Sequence, residues 1–145
     1  MSKMKQETTY SALYTKAFAL ALKAHEGQTR RDGTSYFHNH ILPVAMSFDE
    51  DRILQRTVAI LHDIIEDTYV TAVILLEQGF SKQIVDAVVA ITKIKGMSYD
   101  LYLAGVKANE LSRQVKLKDM IHNLSSDPTT KQMIKYGKGL VFLCE

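Results

Sequence analysis

Cysteine is nearly absent: Cys144, next to last in a chain of 145 residues, is the only one. A lone thiol excludes a disulfide framework and a cysteine zinc site, and points to a reducing, cytosolic setting. Tryptophan is missing and proline occurs twice, as Pro43 and Pro128, so long stretches are open to helix. No apolar run approaches the ~20 residues of a membrane helix. The N-terminus, Met1 to Glu7, leads into no apolar signal core, which argues against secretion. Charge of one sign is also lacking. Eighteen Lys and Arg against sixteen Asp and Glu leave +2. That balance argues against a nucleic-acid polymer as partner and is compatible with a small anionic ligand. What remains, 46% hydrophobic and 23% charged residues, is the make-up of a soluble globular chain. Its length predicts one domain over residues 1–145.

The hydrophobic pattern is helical throughout. Leu13, Ala17, Leu20, Ala21 and Ala24 form a first stripe that stops near Gly27. Residues 28–39 are polar and read as a loop. A second helix starts around His40, with Pro43 tolerated in its first turn, and a third runs from Asp51 to Asp63. A fourth, over Val70–Gln78, is β-branched enough that a strand is an alternative. Ser81 and Ser98 are placed to cap a fifth and a sixth. A seventh carries Leu117, Met120, Ile121 and Leu124, and Asp127-Pro128 predicts the start of a last helix. The expectation is an all-α bundle of seven or eight helices.

The densest chemistry lies in Leu61-His62-Asp63-Ile64-Ile65-Glu66-Asp67-Thr68. Leu54, Val58, Leu61 and Ile65 place this segment at the end of a buried helix face. His62 and Asp63 point about 100° apart on a helix, yet both reach one ion lying at its end. Such a cluster is costly to bury unless a cation balances it. His40 and Asp119 offer a further imidazole and carboxylate from other helices, completing a mixed N/O set suited to Mn, Fe, Zn or Ni. Taken alone, Glu66-Asp67 would read as a carboxylate-rich first turn of the next helix. The adjoining His62-Asp63 favours chemistry.

Several segments, in order, resemble the HD-domain metal phosphohydrolases, and among them the RelA/SpoT-type alarmone hydrolase domain, including its small stand-alone forms. Ala24-His25-Glu26-Gly27-Gln28 looks like the family's "AH-x-GQ", and Arg30 through Phe37 like its "RK-x-G-x-PY" loop. Leu61–Thr68 is similar to "LHD-x-x-EDT", and Val115–Leu124 to "KLADRLHN". The match covers residues 12–126 and leaves the helix over 128–143 without a counterpart. There are departures. Ser35 replaces a proline, Arg31 a lysine, and Lys118 and Met120 a small residue and an arginine beside Asp119. One extra residue separates Tyr36 from His40, which makes His38 a rival for the first histidine.

The resemblance implies one Mn(II) held by His40, His62, Asp63 and Asp119, with Glu66 and Asp67 handling the attacking water. Arg30, Arg31, Asn123 and Ser126 would contact a small anionic nucleotide. Tyr36 and His122 would support the site, and His25 would pack under it. The implied reaction releases pyrophosphate from the 3′ position of guanosine tetra- or pentaphosphate. Two alternatives stay open: an HD phosphohydrolase for another nucleotide, and a catalytically weak nucleotide-binding module. Lys116 and Lys118 read as solvated, and Tyr99, Leu101 and Tyr102 as packing.

Overall fold

A computed structural model describes residues 2–145, the side chains of residues 5–8 excepted. Among the described residues the chain is helical, with no strand. Nine α-helices follow in order: α1 (Lys3–Ala24), α2 (Leu42–Met46), α3 (Ile53–Leu61), α4 (Ile64–Asp67), α5 (Ala72–Glu77), α6 (Lys82–Ile91), α7 (Tyr99–Lys107), α8 (Glu110–Leu124) and α9 (Thr130–Cys144). A π-helical turn, Phe37–Ile41, leads directly into α2. With the π turn counted into α2 and α4 into α3, this is the expected eight-helix, all-α chain. Among the described residues no helix is long and apolar enough to cross a membrane.

Local chemistry sets most boundaries. Thr71, Ser81, Ser98 and Asn109 each accept a backbone N–H in the first turn of α5, α6, α7 and α8. Such caps contribute about 1 kcal/mol each. Segment 70–78 is helical rather than a strand, because Thr71 caps it and Gly79, at φ +94°, ends it. The last helix starts differently from the expectation. Asp127 sits at φ +52° and does not cap; Thr129 does, in a reciprocal capping box with Gln132. The polar loop is also shorter than expected. Gly33 turns the chain so that the Arg30 N–H meets the Thr34 carbonyl at 2.8 Å and the Tyr36 N–H meets the Gln28 carbonyl at 3.0 Å. Helical geometry then resumes at Phe37 rather than at His40.

The core has two parts. Ala17, Ala21, Val44, Val58–Leu61, Ile84 and Val88 belong to the larger one, where α3 packs against α1, α2, α6 and α8. Val58, Ile60 and Leu61 are fully buried, and each contributes on the order of 1.5–3 kcal/mol. Tyr102, Leu103, Val106, Met120 and Leu143 form the smaller one, from α7, α8 and α9. α8 spans both, placing Val115 in the first and Met120 in the second. Asp119 precedes Met120, so its position is fixed by the packing of both. Two residues read as packing are on the surface instead: Leu101 is 67% exposed and Ile121 is 53% exposed.

Candidate metal centre and substrate cleft

α3 stops at Leu61 because His62 is its C-cap and Asp63 leaves helical geometry, at φ −104° and ψ 2°. That break turns two neighbouring side chains toward one point. The His62 Nδ1–H is held by the Ala59 carbonyl at 2.6 Å, which leaves Nε2 to face the acids. His62 Nε2 is buried, has no hydrogen-bond partner, and lies 3.1 Å from Asp63 Oδ2 and 3.5 Å from Asp119 Oδ1. His40, delivered by the π turn, puts its Nε2 2.9 Å from Asp119 Oδ1 and 3.7 Å from Asp63 Oδ2. His38 points elsewhere, its Nδ1 3.0 Å from Ser35 Oγ.

These four side chains fit a divalent ion. Donors bound at ~2.1 Å stand roughly 3–3.5 Å apart around a common centre; His40, His62 and Asp119 form one such group, while Asp63 lies against both imidazoles at 3.1 and 3.7 Å and also groups with Glu66 and Asp67. His40, His62 and Asp119 are all buried. The electrostatics agree. Burial alone would strip a proton from His62, but Asp63 and Asp119 outweigh it and hold that proton well above the usual imidazole range. Burial likewise opposes charge on Asp63 and Asp119, yet both stay ionised, Asp63 chiefly through His62 and Asp119 chiefly through Lys116. A field that favours a proton at this point favours a metal cation there as well.

Every donor has a further partner. Tyr36 donates its hydroxyl to Asp63 Oδ2 at 2.5 Å. Lys116, expected in solvent, is instead half-buried and bonded to Asp119 Oδ2 at 2.8 Å, leaving Oδ1 to the histidines. His40 Nδ1 meets His122 Nδ1 at 3.0 Å. Such outer contacts fix tautomer and rotamer. Deeper still, His25, 1% exposed, bonds Gln28 through Nδ1 at 2.7 Å, and Gln28 in turn donates to the Asp67 carbonyl at 2.8 Å.

Glu66 and Asp67 lie at the end of α4, in a cleft of about 210 Å³ shared with His40, Asp63 and Asp119. One oxygen of Glu66 accepts the Lys93 backbone N–H at 2.8 Å. Asp67 is pushed up to about 6, first by partial burial, then by Asp63 and Glu66. Asn123 stands one turn past Asp119 and lies 3.4 Å from its Oδ1. Arg30, Arg31 and Ser126 gather at a separate cavity of about 570 Å³. Arg30 donates to the Asn39 carbonyl and Ser126 Oγ, and Arg31 to the Asp127 carbonyl. The sequence reading missed Lys93, Lys116 and Lys135 in the cleft wall. No local pattern marks them; only the packing of α6, α8 and α9 brings them together.

No family model matches the chain. It is 33% identical over 127 residues to the GTP pyrophosphokinase rsh of Brucella melitensis, covering 78% of this chain and 16% of that protein. It is 36% identical over 85 residues to the bifunctional (p)ppGpp synthase/hydrolase SpoT of Escherichia coli K12, covering 57% of this chain and 12% of the relative. The guanosine-3′,5′-bis(diphosphate) 3′-pyrophosphohydrolase of Escherichia coli O157:H7 matches to the same extent. The chain thus spans 16% or less of the length of these curated relatives. Among solved structures, one described as a metazoan ortholog of SpoT that hydrolyzes ppGpp superposes with a TM-score of 0.72 at 20% identity. That alignment covers 91% of this chain and 85% of the other, and shows a common fold. In sequence the chain is similar to RelA/SpoT-type proteins over most of its own length, and it shares its helical fold with the metazoan SpoT ortholog.

Proposed function

We propose that this protein hydrolyses the 3′-diphosphate of guanosine tetra- or pentaphosphate, or of a closely related nucleotide, with one Mn-class ion held by His40, His62, Asp63 and Asp119. The observation that carries this reading is the convergence of His40, His62 and Asp119 in one buried group, with Asp63 against both imidazoles, on the floor of a cleft. When bound, the ion supplies Lewis acidity toward water and phosphate oxygens.

The chain's own residues do the rest. Glu66 and Asp67 stand beside the donors and take the proton of the attacking water, then return one to the ribose 3′-oxygen as it leaves. The Lys93 amide fixes the Glu66 carboxylate for that task. Arg30 and Arg31 have guanidinium groups tied to backbone carbonyls rather than to carboxylates. They are free to stack on a base or meet its phosphates. Ser126, beside Arg30, and Asn123, in the cleft with Asp119, supply polar contacts to the nucleoside.

A panel of nucleotides incubated with the Mn(II)-loaded protein tests this. The expected result is fastest turnover of the guanosine 3′-diphosphates, with pyrophosphate and the 5′-di- or triphosphate as products. Faster turnover of an unrelated nucleotide, or of none, contradicts it. Glu66→Ala is expected to keep the metal and lose at least ~10²-fold in kcat, the usual loss when acid–base assistance is removed.

A further inference from the structure

Residues 24–28, which close α1, lie outside the cleft yet reach into its chemistry. Gly27, at φ +81°, turns the chain out of the helix. The Gln28 side chain then crosses to α4, where its Nε2 donates to the Asp67 carbonyl at 2.8 Å. The Gln28 carbonyl accepts the Tyr36 N–H at 3.0 Å, and Tyr36 in turn donates to Asp63. One residue therefore backs a metal donor through its main chain and Asp67 through its side chain.

α4 is a single turn, and Thr68 leaves helical geometry at φ −137° and ψ −179°. The last carbonyl of such a turn has no helical N–H ahead of it; Gln28 supplies one. The Asp67 N–H is bonded to the Asp63 carbonyl at 2.9 Å. Both bonds are on the Asp67 backbone, which leaves its carboxylate to the cleft and to protons. Glu66 is held the other way, by the Lys93 N–H on the carboxylate itself.

An amide side chain can turn over, and His25 fixes which end of Gln28 faces Asp67. Gln28 Oε1 can only accept, so His25 Nδ1, 2.7 Å away, carries the proton. The other ring nitrogen, Nε2, is buried and has no hydrogen-bond partner. An unpaired buried nitrogen costs stability that an apolar ring in the same space avoids. What the imidazole adds here is its Nδ1–H, and that proton sets the Gln28 amide.

We propose that Gln28, oriented by His25, is a positioning residue for the reaction: it fixes the Asp67 main chain and so sets the place of the carboxylate that moves the proton. This rests on the hydrolase reading above. Without the bridge the end of α4 frays and Asp67 is misplaced, while the metal donors keep their own partners, the Tyr36 bond to the Gln28 main chain included.

Hydrogen exchange, Mn(II) titration and steady-state kinetics on guanosine 5′-diphosphate 3′-diphosphate test this in Gln28→Met and Gln28→Glu. Glu still accepts from His25 but cannot donate to the Asp67 carbonyl. In both variants the Asp67 and Thr68 amides should exchange about 5-fold faster, as loss of one hydrogen bond predicts. The α3 amides should exchange at the parent rate, which shows that the variants fold. kcat should fall ~10–10²-fold, the effect of a small misplacement, with KM and Mn(II) affinity close to the parent values. His25→Asn, which keeps a donor for Gln28, should recover most of the kcat that His25→Phe loses. Unchanged exchange at Asp67 and Thr68 overturns the bridge. Faster exchange with unchanged kcat overturns the positioning role and leaves the hydrolase reading standing, and so does a loss of kcat matched by a loss of Mn(II) affinity. Equal kcat in the two His25 variants removes His25 from it. A parent protein that hydrolyses no nucleotide sinks the hydrolase reading and this role with it.

Discussion

His122 shows how a side chain that touches no substrate can govern the centre. With His40 Nε2 turned to the metal site, its Nδ1 must carry the proton, and the acceptor facing it at 3.0 Å is His122 Nδ1. Burial, then the neighbouring His40 and Arg30, hold His122 below the usual imidazole range and so in the neutral form that accepts. His122→Phe removes the acceptor and is expected to weaken Mn(II) binding about 10–100-fold, the usual cost of an outer-contact loss at a histidine ligand. His122→Asn, which keeps an acceptor, should recover part of it. Titration of metal into both variants decides; equal affinity for His122→Phe and the parent protein removes this role. Asp63→Ala should abolish binding outright. His62, Asp63, Glu66 and Asp67 were legible because four polar groups interrupt an apolar helix face within six residues. Lys116 was not, because a lysine three residues before an acid on a helix is ordinarily solvated. Only the depth of Asp119 in the bundle draws it inside.

The π turn settles a question of register. One residue more than the family spacing separates Tyr36 from His40. A π turn accommodates one extra residue in a helix, and Phe37–Ile41 adopts that geometry. Tyr36 and His40 therefore both face the centre, with ring centroids 5.1 Å apart, and His38 is rotated out. Sequence spacing could show the extra residue but not where the helix would widen. Helix ends were better marked: Ser81 and Ser98 announce α6 and α7, whereas Asp127-Pro128 imitates a start that Thr129 makes. The α8–α9 contact is close because Gly139 has no side chain. A Cβ there would meet Met120 Cε at 2.8 Å. Gly139→Val is expected to cost about 1–3 kcal/mol through overpacking, read by denaturant unfolding; an unchanged midpoint refutes this packing account. At the other end of α8, Arg113 and Gln114 donate to Glu110 and pull it down to about 2 from an ordinary 4.5. Those bonds therefore stabilise the fold above pH 4.5 and are lost as pH falls toward 2. Glu110→Gln should lower Tm at pH 7, with the gap to the parent narrowing across that interval; a gap independent of pH would contradict it.

At the scale of the whole molecule, the centre is a joint. His62 and Asp63 come from the end of α3, His40 from the turn into α2 and Asp119 from α8, so an ion held there ties together elements of both hydrophobic clusters. A metal bound only by the folded chain adds about 2.7 kcal/mol of stability at a hundredfold excess over Kd. Manganese should raise Tm by several degrees in the parent protein and leave Asp63→Ala unmoved. The helical class was legible from periodicity and the scarcity of proline, and the grouping of imidazoles and carboxylates from their chemistry. The lysine wall was not, because it is assembled by α9, which lies beyond the recognisable motifs, against α6 and α8. The most direct test of the account is anomalous diffraction at the manganese edge from crystals soaked in Mn(II). The predicted result is one peak per chain, within bonding distance of His40 Nε2, His62 Nε2, Asp63 Oδ2 and Asp119 Oδ1. A peak among Asp63, Glu66 and Asp67 alone, or none at all, would contradict it.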